Sequence, residues 1–363
     1  MKQVLFFLLG VALISCDSGS NESTDDNFDR QAMLVNWADN IIVPAYKNYE
    51  GEVDALEAQA VVFTNAPTEE SLATLRAKWR SAYLAWQWVA IFEIGVAETN
   101  GLQGYTNMYP ANIEEIESSM LSGSYNLELP SRRDQQGFPA LDYLIYGLAS
   151  SDAEILAKYE NNAYKTYLTD LAKRLQTLTS EVVNDWESGY RDTFVNNDGS
   201  SATGAVNKLT NDYIFYFEKH LRASKVGIPA GVFSGTPDPT DVEAYYASDF
   251  SKELFNEALA CSKAFFNGQH FGSTQTGEGF KTYLDYLNSI SGGTDLAQQI
   301  IDQFAAIEST SSSLTSSFSQ QVESNNELML NTYDELQKNV INFKIDMLQL
   351  MNVKVDYVDA DGD

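Results

Sequence analysis

Apolar residues recur at intervals of three and four along most of this sequence, and the apolar-polar alternation typical of β-strands is scarce. Intervals of three and four put side chains on one face of an α-helix, whereas a strand needs a repeat of two. The pattern therefore predicts an all-α protein in which amphipathic helices are joined by polar turns. The predicted helices cover residues 29–63, 69–94, 112–121, 152–188, 205–224, 242–266, 277–291, 294–319 and 323–351.

A turn-rich stretch at 189–204 divides these helices into two sets. Each set has the length and the short connections of a four-helix-type bundle. The sequence thus predicts two helical-bundle halves packed into one body, an N-terminal bundle over 29–204 and a C-terminal bundle over 205–363. Gly-Phe followed by Leu-Asp-Tyr-Leu occurs in both 137–144 and 279–287. An internal duplication and a chance match both remain open for this echo.

The N-terminal sequence has the organisation of a bacterial lipoprotein precursor. A positive start and an apolar run at 4–14 lead into Leu-Ile-Ser-Cys at 13–16, which resembles a lipobox. We expect a signal peptide at 1–15, lipidation of Cys16, and a disordered tether over 16–28, with an ordinary secreted protein cut nearby as the alternative. The expected location is the cell envelope, lipid-anchored at the outer membrane, on its periplasmic face or at the cell surface.

The sequence is strongly acidic. Its net charge of −28 becomes −29 (−28 − 1) once Lys2 leaves with the signal peptide. Such a charge repels nucleic-acid phosphates and anionic headgroups, so no nucleic-acid partner is predicted and membrane contact is expected through the lipid anchor only. The second of the two cysteines, Cys261, has no partner for an intramolecular disulfide if Cys16 is lipidated. Core packing must then supply the stability.

The segment 137–147, GFPALDYLIYG, resembles the signature of the imelysin family, which usually carries Gly-x-His-x-x-Glu at this place. The resemblance covers nearly the whole mature body and implies two bundle-like helical halves with the signature near the cleft between them. It also implies one of two functions, since founding members are described as metallopeptidases and many relatives as envelope proteins associated with iron uptake. Other segments that carry the resemblance are WRSAY at 79–83, Tyr109-Pro110, SKVGIPAGV at 224–232, VEAYY at 242–246, and the C-terminal run at 333–363.

Two signature positions differ in this chain, since Pro139 stands where the family has His and Asp142 where it has Glu. In the family pattern, a His and a Glu three residues apart point the same way, as two ligands of one metal require. Proline cannot ligate, and Asp142 alone is one ligand where a zinc hydrolase takes about three and a water. A structural interpretation has Gly137 ending a loop, Pro139 starting a helix and Asp142 stabilising that start. Asp142 lining a ligand cleft as well remains open.

Four basic or titratable side chains are further ligand candidates. Arg80 either pairs with a buried acid such as Asp142 or stacks on an aromatic ring. His220 lies at the predicted end of a helix, where capping or surface exposure competes with ligand binding. Arg222 and Lys225 lead into the Gly-Ile-Pro-Ala-Gly turn and either anchor that loop or face an anionic ligand.

These residues and the resemblance together predict a non-catalytic imelysin-like lipoprotein associated with iron uptake, which binds a metal, haem or another ligand between its halves. The sequence does not identify a cofactor, although iron or another divalent metal fits better than haem, and iron-transport components are the expected partners. One alternative is a metallopeptidase with a site rebuilt from Asp142, His220 and other carboxylates. Another is a surface adhesion or glycan-binding module, which needs exposed aromatic rings, whereas Trp79, Tyr83 and Trp86 have the helical spacing of a core.

Overall fold

The computed structural model describes residues 26–356. In this part of the chain fourteen helices form and no strand does, which confirms the predicted all-α fold. No helix within these bounds has the combination of length and apolar composition that a membrane span requires. The predicted signal peptide, Cys16 and most of the predicted tether lie outside the described residues.

Eight helices precede residue 204. Of these, α1 packs along both α2 and α8, and the three bury their apolar faces in a common core. A 3₁₀ turn at Pro130–Gln135 leads into α6. The bounds are α1 Arg30–Val35 continued by π-helical Asn36–Ile42 and by Val43–Asn65, α2 Glu69–Gln87, α3 Val96–Asn100, α4 Leu102–Thr106, α5 Ile113–Ser122, α6 Gly137–Asp142 continued by π-helical Tyr143–Gly147, α7 Asp152–Lys158, and α8 Asn162–Asp185 continued by π-helical Trp186–Tyr190 and by Arg191–Val195.

Local sequence explains how α2 begins. The Thr68 side chain accepts from the Ser71 backbone N–H at 3.1 Å, and the Ser71 hydroxyl accepts from the Thr68 N–H at 3.0 Å. This reciprocal pair satisfies two backbone donors that a helix start leaves unpaired. Further along α2, Trp79, Tyr83 and Trp86 are each at most 1% exposed, so the aromatic stripe is core, as predicted.

Six helices follow residue 204. Among them α14 packs against both α9 and α12, while α10 packs against α2 of the first set. The hydrophobic core is continuous through both sets, and the division at 204 stays a prediction. The bounds are α9 Ala205–Phe215 continued by π-helical Tyr216–Gly227, α10 Ser251–Phe266, α11 Phe280–Ser291, α12 Leu296–Ser311, α13 Phe318–Asn325, and α14 Glu327–Ile341 continued by π-helical Asn342–Met347 and by Leu348–Leu350.

The predicted helix at 242–266 is wrong over its first nine residues, because α10 begins only at Ser251. Ala244 and Ser248 have φ angles of 56° and 51°, which interrupt a right-handed helix. The cause is tertiary, since two backbone N–H groups of this segment donate to the Asp142 carboxylate instead of a helical ladder. We call residues 240–250 the bridging segment, because they connect the region after α9 to α10.

Candidate functional site

The signature segment begins with a close backbone contact. Gly137 has a φ of +75°, and a Cβ built on it would lie 2.1 Å from the carbonyl oxygen of Thr106 at the end of α4. Only glycine fits both the left-handed angle and the contact. Pro139 is the third residue of α6 rather than the first, which the sequence predicts, but it still lies in the first turn, where its missing N–H is not needed.

Asp142 clamps the bridging segment to α6. Its two carboxylate oxygens accept backbone hydrogen bonds from Tyr246 at 2.8 Å and from Ala247 at 2.9 Å, and the residue is 2% exposed. The prediction that Asp142 stabilises the start of its own helix is wrong, because it is the sixth residue of α6 and its side chain reaches across to another element. Burial raises the pKa of Asp142 to about 7, against the opposing effect of the two N–H groups.

Arg80 lies beside this clamp on α2. Its guanidinium stacks over the Phe250 ring, 4.5 Å from the centroid, which confirms the stacking alternative. The ion-pair alternative names the wrong acid, because Arg80 pairs with the exposed Asp249 rather than with Asp142. The Arg80 Nε also donates to the Tyr146 hydroxyl at 3.3 Å. Arg80 therefore holds α6 and the bridging segment together at the surface of α2.

A buried ion pair joins Lys225 of α9 to Glu243 of the bridging segment, with the two residues 3% and 2% exposed. Glu243 also accepts from the side-chain amides of Asn107 at 2.7 Å and Gln87 at 3.3 Å. The Asn107 oxygen in turn accepts from the Tyr83 hydroxyl at 2.5 Å. This polar network connects α2, the end of α4, α9 and the bridging segment. The sequence prediction missed Glu243 and Asn107, although Glu243 lies in the VEAYY segment that carries the family resemblance.

Arg222 has a structural place. It is 2% exposed, its guanidinium lies 5.2 Å from the Tyr333 ring centroid, and it donates to the Gln337 side chain. Within its own helix it lies 3.6 Å from Glu218. Because Tyr333 and Gln337 belong to α14, Arg222 anchors α9 to α14.

Two cavities meet at Tyr109. The motif cavity, of about 350 Å³, is lined by Pro139 and Asp142 on α6 and by Tyr246 of the bridging segment. The second, of about 200 Å³, is lined by His220 and Lys225, and we call it the Lys225 cavity. Tyr109 lines both. The fold thus brings four of the predicted site residues into two neighbouring cavities, whereas Arg80 and Arg222 line neither.

His220 is half-buried inside α9, which continues as far as Gly227. The prediction that it caps a helix end is therefore wrong, because a π-helical continuation carries the helix past it. Its Nδ1 lies 3.4 Å from the amide nitrogen of Gln103. Removal of the ring from water, reinforced by the charge of Lys225, lowers the pKa of His220 to about 4. The imidazole is neutral at pH 7. The other histidine, His270, lies in a loop and is half-buried, whereas its glycine-flanked position in the sequence favours an exposed side chain.

Asp142 was the candidate metal ligand of the motif. Both of its oxygens already accept backbone hydrogen bonds. Within residues 26–356, no three or more His, Cys, Asp or Glu side chains gather closely enough to bind one metal ion. In this arrangement Asp142 acts as a hydrogen-bond acceptor that joins α6 to the bridging segment.

Buried carboxyl groups give the protein a characteristic pH dependence. Burial raises the pKa of Asp142 and of Glu93 to about 7, and burial together with the nearby Glu98 raises the pKa of Asp212 to about 8. Between about pH 4 and these values the folded state binds more protons than the unfolded state, so stability falls as pH rises. His220 acts oppositely between its folded pKa of about 4 and its ordinary value of 6.5. We expect the urea midpoint to fall most steeply between about pH 5.5 and pH 7, and then less steeply as these carboxyls lose their protons in the folded state up to about pH 8.

The matched control for this prediction is Asp212→Asn. This variant removes the carboxyl with the highest of the three pKa values and should flatten the fall in stability on the alkaline side. Urea unfolding followed by circular dichroism at several pH values measures both proteins. A midpoint that rises through this range in the unmodified protein would contradict the assignment.

Comparison with known proteins gives the following matches. The family model described as Imelysin (Peptidase M75) matches residues 42–340. Iron-regulated protein A of Synechococcus elongatus is 24% identical over 159 residues, which is 41% of this chain and 41% of that protein. A solved iron-regulated protein A precursor from Parabacteroides distasonis has a TM-score of 0.73 at 15% identity, covering 92% of this chain and 97% of that one. An imelysin-like protein from Psychrobacter arcticum has a TM-score of 0.68 at 17% identity, with coverage of 90% and 97%.

Proposed function

The chain belongs to the imelysin family, and from that premise we propose that it is a non-catalytic protein of the cell envelope that serves iron acquisition. We infer that it binds a small ligand in the cleft where Tyr109 separates the motif cavity from the Lys225 cavity. In this proposal a lipid on Cys16 holds the protein at the outer membrane, and iron-transport components are its partners.

The observation that carries the non-catalytic part is the use of Asp142. Its two oxygens bind the backbone of Tyr246 and Ala247, and Pro139 beside it has no ligating atom in its side chain. A hydrolytic metal site needs about three protein ligands and an open position for water. Both signature positions instead support the backbone, so the geometry favours binding over catalysis.

The iron association rests on relatives. Two of the similar proteins carry the description iron-regulated protein A, one from a cyanobacterium and one from Parabacteroides distasonis. We extend that regulation to this chain as part of the proposal. Iron itself, another divalent metal or haem are the ligands considered from the sequence, and the small cavities favour a compact ligand over a large planar one such as haem.

Iron limitation tests the proposal directly. We expect the abundance of the protein to rise severalfold when the organism grows with iron withheld, and to return to its starting level when iron is restored. Quantitative mass spectrometry of the envelope fraction measures the change, with an abundant envelope protein unrelated to iron as the reference. Equal abundance in both media would reject a role in iron acquisition.

The metallopeptidase alternative is tested with purified protein and an unfolded protein substrate, with and without a chelator. We expect no cleavage that the chelator abolishes, because the described residues offer no cluster of metal ligands. Chelator-sensitive cleavage that disappears in Asp142→Ala would overturn the non-catalytic proposal. The glycan-binding alternative is disfavoured by burial, since Trp79 and Trp86 are 0% and 1% exposed.

A further inference from the structure

Three buried polar atoms around the Lys225 cavity have no hydrogen-bond partner among residues 26–356. They are the indole nitrogen of Trp86, the side-chain oxygen of Gln103 and the hydroxyl of Tyr216. The three residues are 1%, 8% and 3% exposed, and all three line the cavity. Buried polar groups normally have partners, because leaving them unsatisfied is costly. Three such atoms around one cavity indicate groups arranged for a ligand.

The hydrogen-bond donors of the cavity favour a ligand that presents acceptors. Among the described residues that line it, Lys225 alone carries a charge, because the burial of His220 keeps its imidazole neutral at pH 7. Glu243 pairs with Lys225 and balances its charge, but an ammonium group has three N–H donors and can also donate to a ligand. The Lys225 ammonium, the Trp86 N–H and the Tyr216 hydroxyl are donors, and a carboxylate is an acceptor for such donors.

One wall offers an acceptor instead. The amide nitrogen of Gln103 faces His220 Nδ1 at 3.4 Å, which leaves the Gln103 oxygen as an acceptor without a donor. A hydroxyl group on the ligand supplies that donor. Met108, which is 39% exposed, also lines the cavity and marks the side on which it reaches solvent. A ligand can therefore enter from the surface.

We propose that the Lys225 cavity binds a small hydroxycarboxylate, with the carboxylate toward Lys225, Trp86 and Tyr216 and a hydroxyl toward Gln103. The volume of about 200 Å³ suits this class, since a cavity of about 150 Å³ holds benzene. This inference deepens the proposed function, because it names the class of ligand in the cleft.

Isothermal titration calorimetry of the mature protein at pH 7 tests the inference with L-malate as the probe. Succinate, which lacks the hydroxyl, and threitol, which lacks the carboxylates, are the matched controls. We expect saturable binding of malate, weaker binding of succinate and none of threitol. Absence of malate binding, or binding of threitol as strong as that of malate, would overturn the proposal.

Two variants test whether malate binds in the Lys225 cavity. Trp86→Phe keeps an aromatic ring but removes the N–H, and we expect malate to bind roughly tenfold more weakly, as loss of one hydrogen bond to a charged group implies. Gln103→Leu should remove the preference for malate over succinate. The control is Trp37→Phe, because the Trp37 indole nitrogen is also buried and unpartnered but packs against Phe265 and Phe280 rather than lining the cavity.

Equal malate affinity in Trp86→Phe and Trp37→Phe would reject the site even if the unmodified protein binds malate. The outcome is separate from that of the iron experiment. A protein that responds to iron but does not bind malate keeps its proposed function and loses this ligand. One that binds malate but ignores iron keeps the ligand and loses the role in iron acquisition.

Discussion

Replacing Gly137 by alanine is expected to destabilise the protein by more than about 4 kcal/mol, or to prevent folding, although the change adds one methyl group. The left-handed φ of +75° alone costs an L-residue about 1–2 kcal/mol. The added Cβ would also lie 2.1 Å from the Thr106 carbonyl oxygen, which belongs to backbone and cannot rotate away. Either α6 or the end of α4 must then move, and α6 carries Asp142 and its hold on the bridging segment. Soluble yield and urea unfolding measure the loss.

Gly123→Ala is the matched control. Gly123 ends α5 with a φ of +64°, and nothing lies within 4 Å of the position that its Cβ would take. Its cost should stay near the 1–2 kcal/mol of backbone strain. The difference between the two variants isolates the close approach of α6 to Thr106. If both variants lose the same stability, the contact at Gly137 contributes nothing beyond its backbone angle.

The helices themselves follow from local sequence. For α2, the predicted start matches Glu69, because Thr68 and Ser71 form a cap from neighbouring residues. The π-helical turn in α1 comes just before Pro44, because proline lacks the N–H that an α-helical ladder needs. Such features depend on residues a few positions apart, which is why periodicity and capping residues reveal them.

The bridging segment shows where local reasoning fails. Its apolar spacing is helical, yet Tyr246 and Ala247 turn their N–H groups to Asp142, a residue 104 positions earlier for the first of them. Leaving the buried Asp142 carboxylate without these hydrogen bonds costs more free energy than the helix propensity of the segment contributes, which is a few tenths of a kcal/mol per residue. Asp142 and the bridging segment are both visible in the sequence, but no pattern in it predicts that they come into contact.

The residues of the site were likewise predicted only in part. The resemblance led to the motif, and the scarcity of basic and titratable side chains led to Lys225 and His220; all of these line cavities on either side of Tyr109. The partners were missed, because Glu243 and Asn107 are common polar residues that gain meaning only from the fold. No sequence pattern distinguishes the buried Lys225 from the exposed lysines elsewhere in the chain.

Lys225→Met is the second change for which we expect a large effect, a loss of about 3–5 kcal/mol in the free energy of unfolding. The variant leaves Glu243 buried with Asn107 and Gln87 as its remaining side-chain donors, neither of which carries a charge. A buried carboxylate without a counter-charge is strongly disfavoured, whereas methionine itself fits an apolar stem of similar length. The double variant Lys225→Met/Glu243→Gln should recover much of the loss, because a neutral amide oxygen still accepts from Asn107.

Lys338→Met is the control, because it removes a lysine from an exposed ion pair and so shows how much of the loss in Lys225→Met depends on burial. Lys338 pairs with Glu335 at 2.7 Å, but its side chain is 56% exposed, so water replaces the lost partner. Exposed pairs of this kind contribute less than about 1 kcal/mol. Urea unfolding of the three variants beside the unmodified protein therefore ranks them with Lys225→Met as the least stable, the double variant next and Lys338→Met nearly unchanged. If Lys225→Met is as stable as Lys338→Met, then the ion pair does not hold α9 to the bridging segment.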